Sequence, residues 1–497
     1  VSSKIAGLDI GTTGCKLTVF DETGHDLGKA YRDYPVRRQV SGHEIDISVV
    51  MDSVYAVIRE MTAQYPDLGG IGVTSFGETF VMTDEAGTPL HTAMLYTDPR
   101  GAEECAALVE KLGADRIARI SGLAPHEMYS VCKIMWLKKH QPEVYQQAKH
   151  IFLIGDYVAW HLTGVAQIDY SLATRSMAFD IGRLDWSEEI LNAAGIDRSL
   201  LSKPVPTGAV AGCVTKAAEK TGLNPACRIV TVSHDQVAAA VGAGAFDGET
   251  AVDGAGTVEC LTPIYDSLPD ISVMSKGYFS VVPYVIPGKY VAYAFSYTGG
   301  ALIQWCVNTF AKAEQEKAKE QGISVNTLLE QRYDKQEPTG LLVLPHFAGA
   351  ATPYMDTGSK GAILGLTAGT TLPEIYRACM EGVAYEMRLN YDALADSGIR
   401  FTKLHATGGG AKSKVWMQMK ADILNLPITS LKTSDAGTVG SAMLTGVAVG
   451  VFKDLEEAAS VMVRQRETYL PDPKRHEQYM RIYERYRKVY QAVRPLM

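Results

Sequence analysis

The chain has 497 residues and a net charge of -8 without any strongly basic run, which argues against a nucleic-acid or anionic-membrane partner. A hydrophobic content of 46% and a charged content of 21% are typical of a globular protein, and this length predicts two domains of similar size instead of one core. The eight cysteines are scattered without a Cys-x-x-Cys pair, which predicts reduced thiols in a cytoplasmic protein and disfavours a disulfide framework or a zinc site.

The sequence shows no pattern for membrane insertion or export. No apolar run reaches the length of about 18 residues that a transmembrane helix needs. The first residues lack a basic region followed by an apolar one. We therefore expect neither a transmembrane helix nor a signal peptide.

The predicted elements begin with strands, followed by a helix and then by further strands. Alternating and apolar runs predict strands over 4–10, 15–20, 26–34, 71–75 and 80–83, and a helix over 48–64. Residues 101–200 are predicted to be mainly helical. Antiparallel strands mixed with helices in this order predict an α/β unit and not a purely parallel wound sheet.

The opening pattern returns near the middle of the chain. Residues 248–262 again predict a strand, a Gly/Thr turn and a strand, and Asp253-x-x-Gly-Thr repeats the pattern of Asp9-x-Gly-Thr. A repeat at this place predicts a duplicated domain, with one copy over 1–245 and the other over 246–497.

The last predicted helix spans about 475–493 and has a stripe of tyrosines at helical spacing. Such a stripe predicts a face that docks against its own domain and not a binding surface. The tyrosines are Tyr479, Tyr483, Tyr486 and Tyr490.

Three Gly/Thr turns, at 9–14, 254–257 and 408–413, indicate anion binding. Bare backbone N–H groups and hydroxyls at such turns bind phosphate, although the first turn alone could be an ordinary hairpin. Asp9 is out of place beside an anion unless a cation lies between them, and Mg²⁺ on a nucleotide phosphate is the natural candidate. Together the turns predict one nucleotide in a cleft between two domains.

Several other nucleotide and catalytic motifs are missing from the sequence. A P-loop needs Gly where Ala411 stands, and no G-x-G-x-x-G follows a predicted strand. G-x-S-x-G and H-E-x-x-H are also absent, which removes the commonest hydrolase and zinc-protease interpretations.

Asp235 is the candidate for accepting a proton. It follows the predicted strand 229–232, and α/β enzymes commonly place reacting groups at the carboxyl end of a strand. The alternative is that Asp235 caps a helix over 237–241. His234 could itself be a base, because its pKa lies near neutrality, but we favour a role in shaping the substrate pocket.

On these motifs the chain resembles the FGGY family of carbohydrate kinases, whose members share a duplicated, actin-like and ribonuclease H-like fold. The resemblance covers nearly the whole chain. The matching segments are the first phosphate loop at 9–13, the first signature at 128–137, the second phosphate loop at 254–257, the second signature at 361–382 and the adenosine loop at 408–413.

The resemblance implies ATP and Mg²⁺ as cofactors and gives the residues their roles. It makes Asp235 the catalytic base and places Mg²⁺ on Asp9 through water. The implied nucleotide contacts are Thr12, Thr13, Thr257, Gly300, Gln304, Gly408, Gly409, Gly410 and Ala411. The implied substrate contacts are Gly77, Glu78, Asp98, His234, Asp235 and Gln236. For Asp98 a structural ion pair with Arg100 is an equal alternative, and for Gly300 so is a plain strand-to-helix turn.

The implied activity is phosphorylation of a terminal hydroxyl of a small sugar. A ketopentose or ketohexose is favoured, as in xylulose and fuculose kinases, and a polyol or an aldonate is the alternative. Glycerol is disfavoured because Gly77 and Met128 replace an Arg and a Tyr of the glycerol kinases. An actin- or chaperone-type nucleotide switch and an inactive sugar sensor are the rivals from other classes. The resemblance also leaves a homodimer open.

Overall fold

The computed structural model describes residues 3–215, 217–333, 335, 337–433 and 435–497. Two large mixed sheets with flanking helices form two α/β domains, as the sequence predicted. Within the described ranges, no helix combines the length and the apolar character that crossing a membrane requires.

The described residues of the first half form fifteen strands and ten α-helices. The strands are β1 Ile5–Ile10, β2 Gly14–Phe20, β3 Asp26–Asp33, β4 Val36–Gln39, β5 Gly42–Ile45, β6 Gly70–Ser75, β7 Phe80–Thr83, β8 Ala93–Met94, β9 His150–Leu153, β10 Gln167–Asp169, β11 Phe179–Asp180, β12 Asp185–Trp186, β13 Lys203–Val205, β14 Ala209–Cys213 and β15 Arg228–His234. The helices are α1 Ile47–Thr62, α2 Ala102–Leu112, α3 Ala114–Ser121, α4 Ser130–His140, α5 Pro142–Gln147, α6 Ile154–Thr163, α7 Tyr170–Thr174, α8 Glu188–Ala194, α9 Ala218–Thr221 and α10 Asp235–Gly242.

The large sheet of this half has the order β14-β15-β6-β1-β2-β3. Strand β1 pairs antiparallel with β2 and parallel with β6, and β6 pairs parallel with β15. The central strands are almost wholly buried because helices cover both faces, which explains their continuous apolar runs. The strands predicted over 4–10, 15–20, 26–34 and 71–75 are confirmed within about two residues.

In the second half, the part of the chain that the structure describes has ten strands and ten α-helices. The strands are β16 Thr250–Ala255, β17 Glu259–Tyr265, β18 Val282–Pro283, β19 Tyr290–Val291, β20 Ala294–Ser296, β21 Leu342–Leu344, β22 Ala362–Leu364, β23 Lys403–Thr407, β24 Ile428–Leu431 and β25 Gln465–Tyr469. The helices are α11 Ile271–Lys276, α12 Gly300–Phe310, α13 Lys312–Glu320, α14 Val325–Arg332, α15 Leu372–Asp396, α16 Lys414–Leu424, α17 Ala436–Val449, α18 Leu455–Met462, α19 Pro473–Tyr486 and α20 Val489–Val493.

The second large sheet repeats the pairing of the first. Strand β16 pairs antiparallel with β17 and parallel with β23, and β23 pairs parallel with β24. Strand β25 then closes the edge antiparallel to β24, as β14 does beside β15 in the first sheet. The predicted duplicated architecture is therefore confirmed, while the exact boundary between 245 and 246 stays a prediction.

Helices α10 and α17 pack with their backbones in contact. A Cβ atom on Gly440 would overlap the carbonyl oxygen of Ala238, and one on Gly242 would overlap that of Ala436. A Cβ on Gly7 of β1 would likewise overlap the carbonyl oxygen of Thr438, so α17 also lies directly on the first sheet. Glycine at these positions lets an element of the second half pack into the first half.

Gly440→Ala is expected to lower the free energy of unfolding by about 1–3 kcal/mol, because the added methyl group forces the two helices apart. Urea denaturation of the two proteins measures the difference. Gly369→Ala is the matched control, since the nearest atom to its added Cβ would be 3.9 Å away. Equal unfolding free energies for wild type and Gly440→Ala would contradict the backbone contact.

The tyrosine stripe at the C-terminus packs against its own domain, as predicted. Tyr479, Tyr483 and Tyr486 are buried in one cluster with Tyr385 of α15. The predicted single helix over 475–493 is wrong in one respect, because it divides into α19 and α20. Arg487 and Lys488 separate the two helices although their backbone stays in the right-handed helical region, and Tyr490 beyond them donates to Asp356.

Candidate active site

A cavity of about 1380 Å³ opens in the second half of the molecule. The turn after β16, the start of α12, helix α14, and the loop before α16 form its walls. Residues on these walls include Gly256, Thr257, Gly300, Gln304, Glu330, Gly409, Gly410, Ser413 and Trp416. This cavity brings together residues from two of the three Gly/Thr turns.

The two turns meet through backbone contacts that only glycine permits. Gly408 has a φ of +90°, and a Cβ on it would lie 2.5 Å from the carbonyl oxygen of Ala255. The amide of Gly300 donates to the carbonyl of Gly256 at 2.9 Å, which fixes the start of α12 against the second turn. Ala411 is buried behind this wall.

The first turn belongs to the other domain, and Thr12 and Thr13 are not among the residues lining this cavity. Asp9 lies on β1 directly opposite Lys16 of β2. Lys16 Nζ forms an ion pair with Asp435 Oδ1 at 2.5 Å, at the start of α17. This ion pair, which the sequence did not predict, joins the two halves beside Asp9.

Asp9 lies close to the start of α17 and is surrounded by charge. A Cβ on Gly437 would lie 2.7 Å from Asp9 Oδ2. Burial raises the pKa of Asp9 to about 6, with Lys16 opposing this shift and Asp435 adding to it. Among the residues that the structure describes, no group of three or more His, Cys, Asp or Glu could hold a metal ion. A single carboxylate such as Asp9 fits a cation that phosphate oxygens hold on its other side.

Asp235 is the first residue of α10, directly after β15. The alternative role as a helix cap is not adopted, because His234 occupies the N-cap position and no side chain caps this helix. Asp235 Oδ1 is buried, and no described residue forms a hydrogen bond with it. Burial raises the pKa of Asp235 to about 8, and the charges of Asp9 and Glu78 add to this while Arg175 opposes it. A carboxylate tuned in this way suits proton transfer near neutral pH.

His234 is buried beside Asp235 and is neutral. Its Nδ1 lies 3.0 Å from the hydroxyl of Tyr293, and its Nε2 lies 3.1 Å from Asp235 Oδ1 without hydrogen-bond alignment. Burial, together with Arg175, holds the pKa of His234 well below its usual value. This favours a shaping role over a basic one, and contact with substrate stays a prediction, as it does for Gln236.

Glu78 lies in a buried cluster that the sequence did not predict. Its φ of +65° is unusual for a residue with a side chain. Arg175 Nε donates to Glu78 Oε1 at 2.6 Å, and the guanidinium also lies over the rings of Tyr129 and Tyr293. A single arginine after a short helix has no sequence pattern of its own, so no signal in the sequence indicated Arg175.

Asp98 is occupied by structural contacts. Its Oδ1 accepts from the amide and Nε of Arg100 at 3.0 and 2.8 Å, and its Oδ2 accepts from Arg100 NH2 and the amide of His43. The geometry therefore favours the ion-pair alternative for Asp98, and a sugar contact stays a prediction.

Comparison with known proteins identifies the class. The model of the N-terminal domain of the FGGY family of carbohydrate kinases matches residues 4–242, and the model of the C-terminal domain matches residues 256–449. The chain belongs to the FGGY family of carbohydrate kinases. It is therefore a phosphotransferase, and the predicted family, fold class and enzyme class are confirmed.

Individual relatives cover almost the whole chain. A xylulose kinase from Lactococcus lactis is 27% identical over 98% of this chain and 96% of its own length. A glycerol kinase from Symbiobacterium thermophilum is 32% identical over 92% of this chain and 91% of its own. The crystal structure of a xylulose kinase from Rhodospirillum rubrum superposes with a TM-score of 0.89 at 25% identity, covering 99% of both chains.

Proposed function

We propose that the protein transfers the γ-phosphoryl group of ATP to a terminal hydroxyl of a small uncharged sugar, with a ketopentose favoured over a ketohexose. The observation that carries the proposal is Asp235, a partly buried carboxylate whose Oδ1 has no hydrogen-bond partner among the described residues and whose pKa is raised to about 8. The charges of Glu78 and Asp9 both act on it. Relatives named xylulose kinases over nearly the full chain support the sugar class.

In this proposal, each of the two domains supplies a different part of the site. The first, over 1–245, supplies the acceptor side with Gly77, Glu78, His234 and Gln236, and also Thr12 and Thr13 for the phosphates. The second, over 246–497, supplies the nucleotide cavity. Its contacts are Thr257, Gly300, Gln304, Gly409 and Gly410, which line the cavity, and Gly408 and Ala411, which lie behind it.

Asp9 would hold Mg²⁺ through water. Burial and the negative charge of Asp435 raise the pKa of the Asp9 carboxyl. A bound cation would lower that pKa again, so the carboxylate fits a cation site. When bound, Mg²⁺ neutralises charge on the phosphates. Lys16 lies opposite Asp9 and adds a positive charge at the same place.

The step itself needs one proton acceptor and an oriented hydroxyl. As the oxygen of the acceptor bonds to the γ-phosphorus, the bond from that phosphorus to the β–γ bridging oxygen breaks, and ADP leaves. The hydroxyl proton passes to Asp235, which returns it to solvent after release of the product. Neutral His234 beside Asp235 neither competes for that proton nor repels it.

Charge balance favours an uncharged acceptor over an aldonate. The cations that act on these carboxylates are already paired, Arg175 with Glu78 and Lys16 with Asp435. Asp9, with a pKa of about 6, adds further negative charge near neutral pH. A carboxylate on the substrate would therefore meet repulsion at this site.

The test is ADP release with Mg-ATP across sugars that share one carbon skeleton. Each ketopentose and ketohexose is assayed beside the alditol and the aldonate of the same configuration. We expect the highest kcat/KM with a ketopentose, a lower value with the alditol and no turnover with the aldonate. Preference for an aldonate would overturn the uncharged class, and ADP release that no acceptor stimulates would favour a nucleotide switch.

A further inference from the structure

Arg175 occupies the space that the missing side chain of Gly77 leaves open. A Cβ atom on Gly77 would lie 2.7 Å from Arg175 Cγ and 3.0 Å from Arg175 Cβ. Arg175 is only 4% exposed, so its side chain has no room to retreat. Gly77 has no left-handed backbone that would itself require glycine. The glycine is therefore explained by the side chains that lie against it, first Arg175 and then His234, whose Cδ2 would be 3.1 Å from the same Cβ.

The guanidinium links both halves of the molecule. Its Nε donates to Glu78 Oε1 at 2.6 Å and NH1 donates to Ser280 Oγ at 3.2 Å. Its carbon lies 5.3 Å from the ring centre of Tyr129 and 5.2 Å from that of Tyr293. Tyr293 then contacts His234, so a continuous polar chain runs from Glu78 to the neighbour of Asp235.

This arrangement leaves one oxygen of Glu78 for a ligand. Both contacts with Arg175 use Oε1, and within the described residues no group donates to Oε2. The backbone carbonyl of Glu78 accepts from Ser130 Oγ at 2.6 Å, which holds the strained residue in place. The carboxylate is thus fixed at one oxygen and open at the other.

We propose that Arg175 is a specificity-determining and positioning residue for the acceptor sugar, which it orders by fixing Glu78 with Oε2 available to accept from a substrate hydroxyl. This inference rests on the proposed sugar kinase activity. Because Glu78 balances the charge of Arg175, the pair selects a neutral hydroxyl and not a carboxylate.

Arg175 also acts on the base through its charge. The titratable groups that face Asp235 besides Arg175 are Asp9, Glu78, Tyr96, His234, Cys260 and Tyr293. Arg175 lowers the pKa of Asp235, whereas burial and the other carboxylates raise it. Removing the positive charge should therefore move the rise of kcat/KM with pH to higher pH.

Three variants separate these effects. Arg175→Lys keeps the positive charge but loses the planar set of N–H donors. Gly77→Ala presses on Arg175 Cγ and Cβ without changing any charge. Both variants should raise KM for the acceptor by about tenfold or more. They should leave KM for ATP and the pH dependence of kcat/KM unchanged. Arg175→Gln should raise the acceptor KM and also shift the profile to higher pH. Arg388→Lys, an arginine that pairs with Asp392 and lies over Tyr391, is the matched control.

The outcomes are distinguishable. An unchanged acceptor KM in both Arg175→Lys and Gly77→Ala, with a wild type that turns over, would overturn the inference alone. A wild type that phosphorylates no acceptor would overturn the proposed function, and the inference with it. If Arg175→Gln fails to fold, the other two variants still decide, because their charge remains. A KM for ATP raised as much as that for the acceptor would point to general damage and contradict a specificity role.

Discussion

Asp235→Asn is expected to lower acceptor phosphorylation by about 10²–10⁴-fold, the usual contribution of a general base. The asparagine keeps the shape of the side chain but takes up no proton. Nucleotide binding should be retained, because Asp235 is not among the residues that line the nucleotide cavity. Steady-state rates with the best acceptor measure the first effect, and calorimetric titration with Mg-ADP measures the second. Full activity of Asp235→Asn would refute its role as the base.

The same variant should stabilise the protein at alkaline pH. Burial raises the pKa of Asp235 from 3.8 to about 8, so the folded state holds its proton more tightly than the unfolded state. That contribution to stability is complete below the unfolded pKa and is lost as pH rises through the folded value. As pH rises from 3.8 to about 8, wild type should therefore lose thermal stability relative to Asp235→Asn.

Asp197→Asn is the control, because its effect on stability should change with pH in the opposite direction. Hydrogen bonds from Ser199 lower the pKa of Asp197, so its stabilising contribution is present at higher pH and is lost as pH falls. The two variants should thus shift the melting temperature in opposite directions above pH of about 8. Melting temperatures of Asp235→Asn and wild type that stay parallel over the whole range would contradict the raised pKa.

Lys420→Met is expected to lower the free energy of unfolding by about 3–5 kcal/mol, because it removes the cation from a buried ion cluster. Lys420 is fully buried, contacts Glu259 and pairs with Asp253 Oδ2 at 2.8 Å. Its ammonium also lies 4.6 Å from the ring centre of Trp416, which lines the nucleotide cavity. Chemical denaturation at neutral pH measures the loss.

A triple variant isolates the contribution of the charges to stability. Asp253 Oδ1 and Glu259 Oε2 are buried, and no described residue forms a hydrogen bond with either of them. Lys420→Met combined with Asp253→Asn and Glu259→Gln removes every charge and should recover much of the lost stability. If Lys420→Met alone lowers the free energy of unfolding by less than about 1 kcal/mol, the value of an exposed ion pair, the result would contradict the burial of the cluster.

The local elements of this chain could be predicted because each depends on residues that are adjacent in sequence. The strand–turn–strand units around Asp9 and Thr257 have apolar runs separated by glycine, and this pattern alone predicts them. Asp235 could be placed because it follows an apolar strand. The division between α19 and α20 was missed because no glycine or proline marks it in the sequence.

The residues that the sequence did not indicate are those whose partners are distant in sequence. Lys16 pairs with Asp435, and Arg175 contacts Tyr293, so neither interaction leaves a local pattern. Lys420 lies in an ordinary helical sequence, and only the fold buries it between two carboxylates. The homodimer, the domain boundary and the roles of individual site residues stay predictions for the same reason.

The most direct test of the central claim is a ³¹P NMR spectrum of wild type with Mg-ATP and the best ketopentose. The account predicts a phosphomonoester signal that is split by the protons of a terminal CH₂–O group, growing in step with ADP, together with little inorganic phosphate. A spectrum in which ADP appears only with inorganic phosphate would contradict it, because the phosphoryl group would then pass to water and not to a sugar hydroxyl placed beside Asp235.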